Sequence, residues 1–272
     1  MKKTIFITGA SRGLGRIWTE TFLKRGDNVV ATVRNTDSLK ELTTEFPENL
    51  LVLKLDVTNK LASTEAVNTA KVHFGAIDVL INNAGYGLMG AIEEVTEEEI
   101  RAQFETNVFG LLWVTQAVLP IMREQKSGHI IQLSSALGLV TLPTMGLYSA
   151  SKFAVEAIGE SLATEVAGFG IKVTILEPNG FDTDFNGASL AQSKTIDAYD
   201  DVRKALYEQA GAQETGDPSA TANAILTLVD AENPPLRLML GKVVYPWVKY
   251  TYGERIKTWE DWQEVSTAAH GK

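Results

Sequence analysis

Tyr148 and Lys152 stand four residues apart in the run Tyr148-Ser149-Ala150-Ser151-Lys152. On a helix that spacing puts both side chains on one face. A free phenol ionises near pH ~10 and is a poor acid–base group at neutral pH. A neighbouring ammonium favours the phenolate and lowers that value. The pair can then give a proton to a carbonyl oxygen as hydride reaches the carbon, and take it back in the reverse direction. Ser135 lies thirteen residues earlier, after the apolar run ending at Leu133. Its hydroxyl can bond the same oxygen and steady the charge that develops there. A lone Tyr/Lys pair at helical spacing is usually surface decoration, so the reading needs a site that holds a redox partner.

That site is offered near the start of the sequence, in Thr8-Gly9-Ala10-Ser11-Arg12-Gly13-Leu14-Gly15. The three glycines have separate uses: one permits a tight turn, one lets backbone approach a diphosphate, and one lets a helix pack on a strand. The helix that follows points its N-terminus at the diphosphate, a position that favours anions.

The elements around these residues read as alternating strands and helices. Apolar, β-branched runs at Lys3–Thr8, Asn28–Val33, Leu50–Leu55, Ala76–Ile81, Gly128–Leu133, Ile171–Leu176 and, more weakly, Leu236–Leu240 predict seven strands. Helical patterns separate them, most clearly Glu97–Met122 and Leu147–Val166. This is the pattern of an α/β, doubly wound, seven-stranded parallel sheet with helices on both faces, in a single domain. The segment Gly180–Gly216 shows no strand and one helix near Ala198–Ala210. It leaves the carboxyl end of the sixth strand, where such folds bind ligands, and is expected to be a lid. Residues 241–272 read as a C-terminal helical tail.

Composition narrows the function. The 272 residues are 44% hydrophobic and 22% charged, with a net charge of −9 that argues against a general affinity for nucleic acid. There are no cysteines, which excludes disulfides and thiolate chemistry. His73, His129 and His270 have no ligand spacing, so no metal is expected. The acidic run Glu93, Glu94, Glu97, Glu98 and Glu99 reads as a helix start, with Thr96 and Glu99 as a capping box. No apolar run is long enough for a membrane span or a secretion signal, and a cytoplasmic location is expected.

The glycine turn resembles the T-G-x-x-x-G-x-G of the short-chain dehydrogenase/reductase family, and the likeness continues along the chain. Asp56-Val57, Asn82-Asn83-Ala84-Gly85, Asn107, Ser134-Ser135, the Y-x-x-x-K of Tyr148 and Lys152, Pro178-Asn179-Gly180 and Thr183 follow in family order from about Lys3 to Leu240. The resemblance implies a catalytic group of Asn107, Ser135, Tyr148 and Lys152. In it the lysine also holds the nicotinamide ribose, and the asparagine holds a water leading to the lysine. It implies cofactor contacts from Gly9, Ser11, Arg12, Gly13, Leu14, Gly15, Arg34, Asp56, Val57, Asn83, Ala84, Gly85, Pro178 and Thr183. One departure is Asn179, where the family usually has glycine. Asparagine tolerates left-handed backbone, so the turn is expected to survive.

Strand two ends Ala31-Thr32-Val33-Arg34, with no acid to meet a ribose hydroxyl, and with Arg12 and Arg34 at hand for a 2′-phosphate. NADP(H) is therefore expected over NAD(H). Leu137, Leu139, Met145, Phe181 and Phe185, joined by Leu88 and Met89, suggest a hydrophobic ketone, aldehyde or secondary alcohol as substrate. Apolar helix faces suggest a homodimer or homotetramer. Two other readings stay open. A sugar-nucleotide epimerase or dehydratase of the extended family is disfavoured by glycine spacing and length. A dinucleotide-sensing regulator is disfavoured by the retention of all four catalytic groups.

Overall fold

The computed structural model describes residues 2–183, 187, 189–211 and 215–271. Strand β1 (Thr4–Thr8) is buried along its whole length. Its side chains alternate between two cores, as the strand period requires. Ile5 and Ile7 pack with Trp18, Phe22 and Ile225 on one face of the sheet. Phe6 packs with Val67, Val114 and Leu162 on the other. A strand with apolar surroundings on both faces reads as an unbroken apolar run, and that made β1 visible in the sequence.

Strands β2 (Asn28–Val33), β3 (Leu50–Lys54), β4 (Val79–Asn82), β5 (Gly87–Met89), β6 (Gly128–Leu133), β7 (Ile171–Pro178), β8 (Leu190–Gln192) and β9 (Arg237–Leu240) follow. Seven of the nine form one parallel sheet in the order β3-β2-β1-β4-β6-β7-β9. The chain reverses its direction of travel across the sheet between β1 and β4. The carboxyl ends of those two strands splay the following loops apart and leave the crevice where this architecture binds ligands. Helices α1 (Gly13–Arg25) and α2 (Lys40–Glu45) cover one face with α8 (Thr221–Asp230). Helices α3 (Lys60–Phe74), α5 (Leu111–Gln125) and α6 (Gly146–Val166) cover the other. Buried Trp18 fastens α1 to α8 by donating its indole N–H to Thr221 Oγ1 at 2.9 Å.

The structure departs from the sequence pattern in two places. The helix expected over Glu97–Met122 is divided into α4 (Glu97–Phe104), a wider π-turn over Glu105–Gly110, and α5. The segment Gly180–Gly216 does contain a strand: β8 pairs in parallel with β5, with Leu88 opposite Ala191. Both strands have three residues, too few to show a period. The helix expected near Ala198–Ala210 is α7 (Asp200–Gly211). The tail folds into α9 (Val244–Asp261) and α10 (Gln263–Ala268). Among the described residues no helix is long and apolar enough to cross a membrane.

Candidate active site

The turn after β1 is built for close backbone approach. Gly9 has φ +68°, and a Cβ there would lie 2.9 Å from Ala84 Cα. A Cβ on Gly15 would lie 2.5 Å from the Gly9 carbonyl oxygen, so α1 can start only if that residue has no side chain. Arg12, at the cap position of α1, supplies no side-chain cap, which leaves first-turn N–H groups for an outside acceptor. Thr183 faces this turn, its Cβ 3.8 Å from where a Gly13 Cβ would be.

Asn83 braces the crevice by donating to the carbonyls of Thr8 (2.9 Å) and Gly9 (3.0 Å). The Thr8 hydroxyl accepts from the amides of Asn83 and Ala84. Asp56 is exposed and accepts from the Thr58 amide at 3.0 Å, a turn cap that leaves its other oxygen available. The Ala10 amide bonds the Thr32 carbonyl at 3.1 Å, which joins the glycine turn to the end of β2. Thr32 is buried there, whereas Arg12 and Arg34 are both exposed. Neither arginine forms an ion pair among the described residues. A glycine cradle, an uncapped helix start and two uncommitted guanidinium groups fit an anionic dinucleotide.

Tyr148 lies in the first turn of α6, 4% exposed. Ser135 ends the loop from β6 and hydrogen-bonds the Tyr148 phenol. Lys152 Nζ lies 5.8 Å from the centre of the Tyr148 ring and donates to the Leu133 carbonyl at 2.8 Å. Asn107 sits in the π-turn, an element that often marks functional sites in helices. Its amide donates to the Tyr86 carbonyl (3.0 Å) and to Ser151 Oγ (3.1 Å), and its Oδ1 accepts from the Tyr86 amide (3.1 Å). A Cβ on Gly85 would come 3.0 Å from Asn107 Oδ1 and 3.7 Å from Lys152 Nζ, so these three positions converge.

The electrostatics differ from the simple pair. Burial pushes the Tyr148 phenol up to about 12, although the Ser135 bond opposes this. Burial also brings Lys152 down to about 8, with the Glu156 charge acting the other way. The lowering expected from the lysine is not seen: burial raises the phenol, and the opposing cause is the Ser135 bond. The phenol therefore stays protonated through the neutral range.

Tyr148 belongs to an apolar cluster with Leu137, Leu139, Val140 and Met145, bordered by Met89. Phe181 is not part of it. Its ring seats against Gly216 and packs into the core under α1 and α8. Phe185 lies outside the described residues, and Leu88 is buried in β5. The sequence reading missed further members of this cluster: Val244 and Val248 of α9, with Trp247, Tyr252 and Leu190 at its border. Arg255 of α9 donates to the Leu139 carbonyl at 3.0 Å.

The acidic run also has a part that the capping box did not reveal. The capping box forms, but Glu99 additionally accepts from Ser193 at 2.9 Å. Buried Glu94 accepts from the Ile196 amide at 2.7 Å and pairs with Arg203, and Glu93 accepts from the Tyr199 hydroxyl at 2.6 Å. These bonds tie the 193–203 segment to the loop after β5. Asn179 needs no left-handed backbone, since it is absent from the positive-φ residues. Its amide group lies instead against Gly241.

The family model for the short chain dehydrogenase matches residues 3–194. An oxidoreductase, BOA17 of Botryotinia fuckeliana, is 39% identical over 99% of this chain and 100% of its own. The 3-ketodihydrosphingosine reductase of Bacteroides thetaiotaomicron is 38% identical over 88% of each chain. Among solved structures, a short-chain dehydrogenase from Streptomyces avermitilis has a TM-score of 0.92 and 37% identity, covering 98% of both chains. One from Burkholderia cenocepacia, in complex with NADP, has a TM-score of 0.77 and 26% identity over 96% of this chain and 97% of its own. Motif order, sheet order and these matches agree, and the chain belongs to the short-chain dehydrogenase family as an NAD(P)-dependent oxidoreductase.

Proposed function

We propose that the protein is an NADP(H)-dependent reductase of hydrophobic ketones or aldehydes, with Tyr148 as the proton donor. The observation that carries this reading is a buried phenol, bonded to Ser135 and set in an apolar cluster beside Lys152. The glycine turn would hold the diphosphate of a nicotinamide cofactor, which would supply or accept the hydride. Tyr148 gives its proton to the carbonyl oxygen, and Ser135 orients that oxygen. Lys152 keeps a positive charge close to the phenol while the proton leaves. Asn107 fixes the loop at Tyr86 and, through Ser151, the turn of α6 that carries the pair. Leu137 and Met145 give the substrate an apolar seat, with α9 as its outer wall. The Bacteroides relative's name, a keto-reductase, is in keeping with such a substrate.

The 180–216 segment acts in this reading as a lid, tied down through β8 and Arg203. The test is a steady-state screen of ketones and aldehydes with NADPH and NADH. We expect kcat/KM to rise as apolar chain is added, about tenfold for each 1.4 kcal/mol of extra burial. No turnover of any carbonyl compound, or a preference for small polar ones, would refute the proposal.

We further propose a dimer or tetramer built on α5 and α6. Phe109, in the π-turn that leads into α5, is 40% exposed, and Phe169, just past α6, is 44% exposed. Light scattering at micromolar concentration should give at least twice the 29.6 kDa chain mass, and a monomer would contradict it.

A further inference from the structure

Beneath the Tyr148–Lys152 pair lie two carboxyl groups that the mechanism above does not use. Glu156 stands four residues beyond Lys152 on α6, so it shares that helix face. Glu177, near the end of β7, is fully buried. Arg237 on β9 reaches both. Its Nε donates to Glu156 Oε2 at 3.0 Å and lies 3.5 Å from Glu177 Oε1, while its Nη2 donates to the exposed Glu160 at 2.6 Å. One guanidinium thus faces three carboxyls. Ser134, adjacent to Ser135, approaches from the end of β6. Its Oγ and Glu156 Oε1 meet where a Cβ on Gly138 would otherwise sit, 2.3 and 3.1 Å away.

Among the described residues neither oxygen of Glu177 has a hydrogen-bond partner. The same Arg237 nitrogen faces both buried carboxyls, at 3.0 and 3.5 Å, and one guanidinium balances only one of two neighbouring buried charges, so one of the two carries a proton. Glu156 has the closer arginine, so the proton sits on Glu177. Burial and the Glu156 charge raise Glu177 to about 8.

We propose that Glu156 and Glu177 hold one proton between them and act as positioning residues, with the Glu156 charge keeping Lys152 in its ammonium form. The link to Lys152 rests on the proposed catalytic pair, whereas the shared proton does not. Removing the charge destabilises the ammonium and eases formation of the Tyr148 phenolate. Both effects move titrations to lower pH. The alkaline limb of reduction and the rising limb of oxidation should therefore shift the same way.

The experiment measures both pH profiles for the intact enzyme and for the double variant Glu156→Gln/Glu177→Gln, Glu156→Asp and Glu160→Gln. In the double variant, which removes the one charge the pair carries, both limbs should move to lower pH by about one unit, from one lost charge at intermediate dielectric. Glu156→Asp and Glu160→Gln should leave them in place. A limb that stays put in the double variant overturns the link to Lys152. The shared proton has its own readout. A carboxyl whose folded value is raised gives stability that is present below its unfolded value and is lost as pH rises through the folded one. Between pH 4.5 and 8 the parent's Tm should therefore fall relative to that of Glu177→Gln. Parallel Tm profiles would overturn the shared proton. Should Tyr148→Phe retain activity, the proton-transfer reading fails while the Tm result still stands or falls alone.

Discussion

Replacing Tyr148 by phenylalanine is expected to lower kcat/KM for carbonyl reduction by about 10³-fold, within the usual range for a positioned proton donor. The change removes one hydroxyl and keeps the ring that packs with Leu137, Met145 and Val248. Fold and cofactor binding should therefore persist, with NADPH fluorescence titration unchanged within about twofold, or ~0.4 kcal/mol. The loss should fall mainly on kcat, because the hydroxyl acts as charge develops on the carbonyl oxygen. Activity within about tenfold of the parent, a loss of only ~1.4 kcal/mol, would remove Tyr148 from the role. Burial that holds the phenol up at about 12 favours reduction over oxidation near neutrality, since the donor form is always loaded. The oxidative direction should need alkaline conditions.

The second large effect concerns the cofactor. NADPH is expected to exceed NADH in kcat/KM by about 10²-fold with one ketone, since a charge-assisted bond to phosphate contributes ~1.5–3 kcal/mol. Thr32, the next-to-last residue of β2, offers no carboxylate, and the Ala10–Thr32 bond brings the glycine turn alongside. Arg12 and Arg34 are both exposed near that junction, and among the described residues neither has an ion-pair partner to give up on meeting a phosphate. Arg34→Ala should erase most of the preference and leave NADH use nearly unchanged, because only NADPH carries the phosphate. Equal efficiency of the two cofactors in the parent enzyme would refute phosphate recognition. Placing a carboxylate at the strand end, as in Thr32→Asp, should turn the preference toward NADH by repulsion on one side and a ribose hydrogen bond on the other.

The sheet was legible because its strands are buried on both faces, so that runs such as Ile5-Phe6-Ile7 and Ile130-Ile131 stand out. The Tyr148–Lys152 pair was legible because its four-residue spacing sits on one regular helix, α6. What was hidden depends on tertiary contact. Nothing in the pattern around Val244 and Val248 says that α9 folds back onto Tyr148, and nothing near Phe181 says that its ring turns toward Gly216 instead. β5 and β8 are too short to show alternation. The π-turn at Asn107 leaves helical periodicity almost intact while adding one residue to a turn. The electrostatic outcome at Tyr148 was also out of reach, because spacing reveals a neighbour's charge but not how far water is excluded.

The packing of α9 against Tyr148 has a consequence for the order in which the enzyme becomes competent. A ribosome adds residues from the amino end, and domains form as their parts emerge. The glycine turn, the Asn83 brace and the Tyr148–Lys152 pair all precede β9 and α9 in the chain. A nascent chain can therefore assemble the glycine cradle before α9 completes the apolar cluster around Tyr148. Binding of cofactor at that stage would lend stability to an intermediate that cannot yet turn over, so the molecule would acquire its ligand as a folding aid first and as a reagent only afterwards.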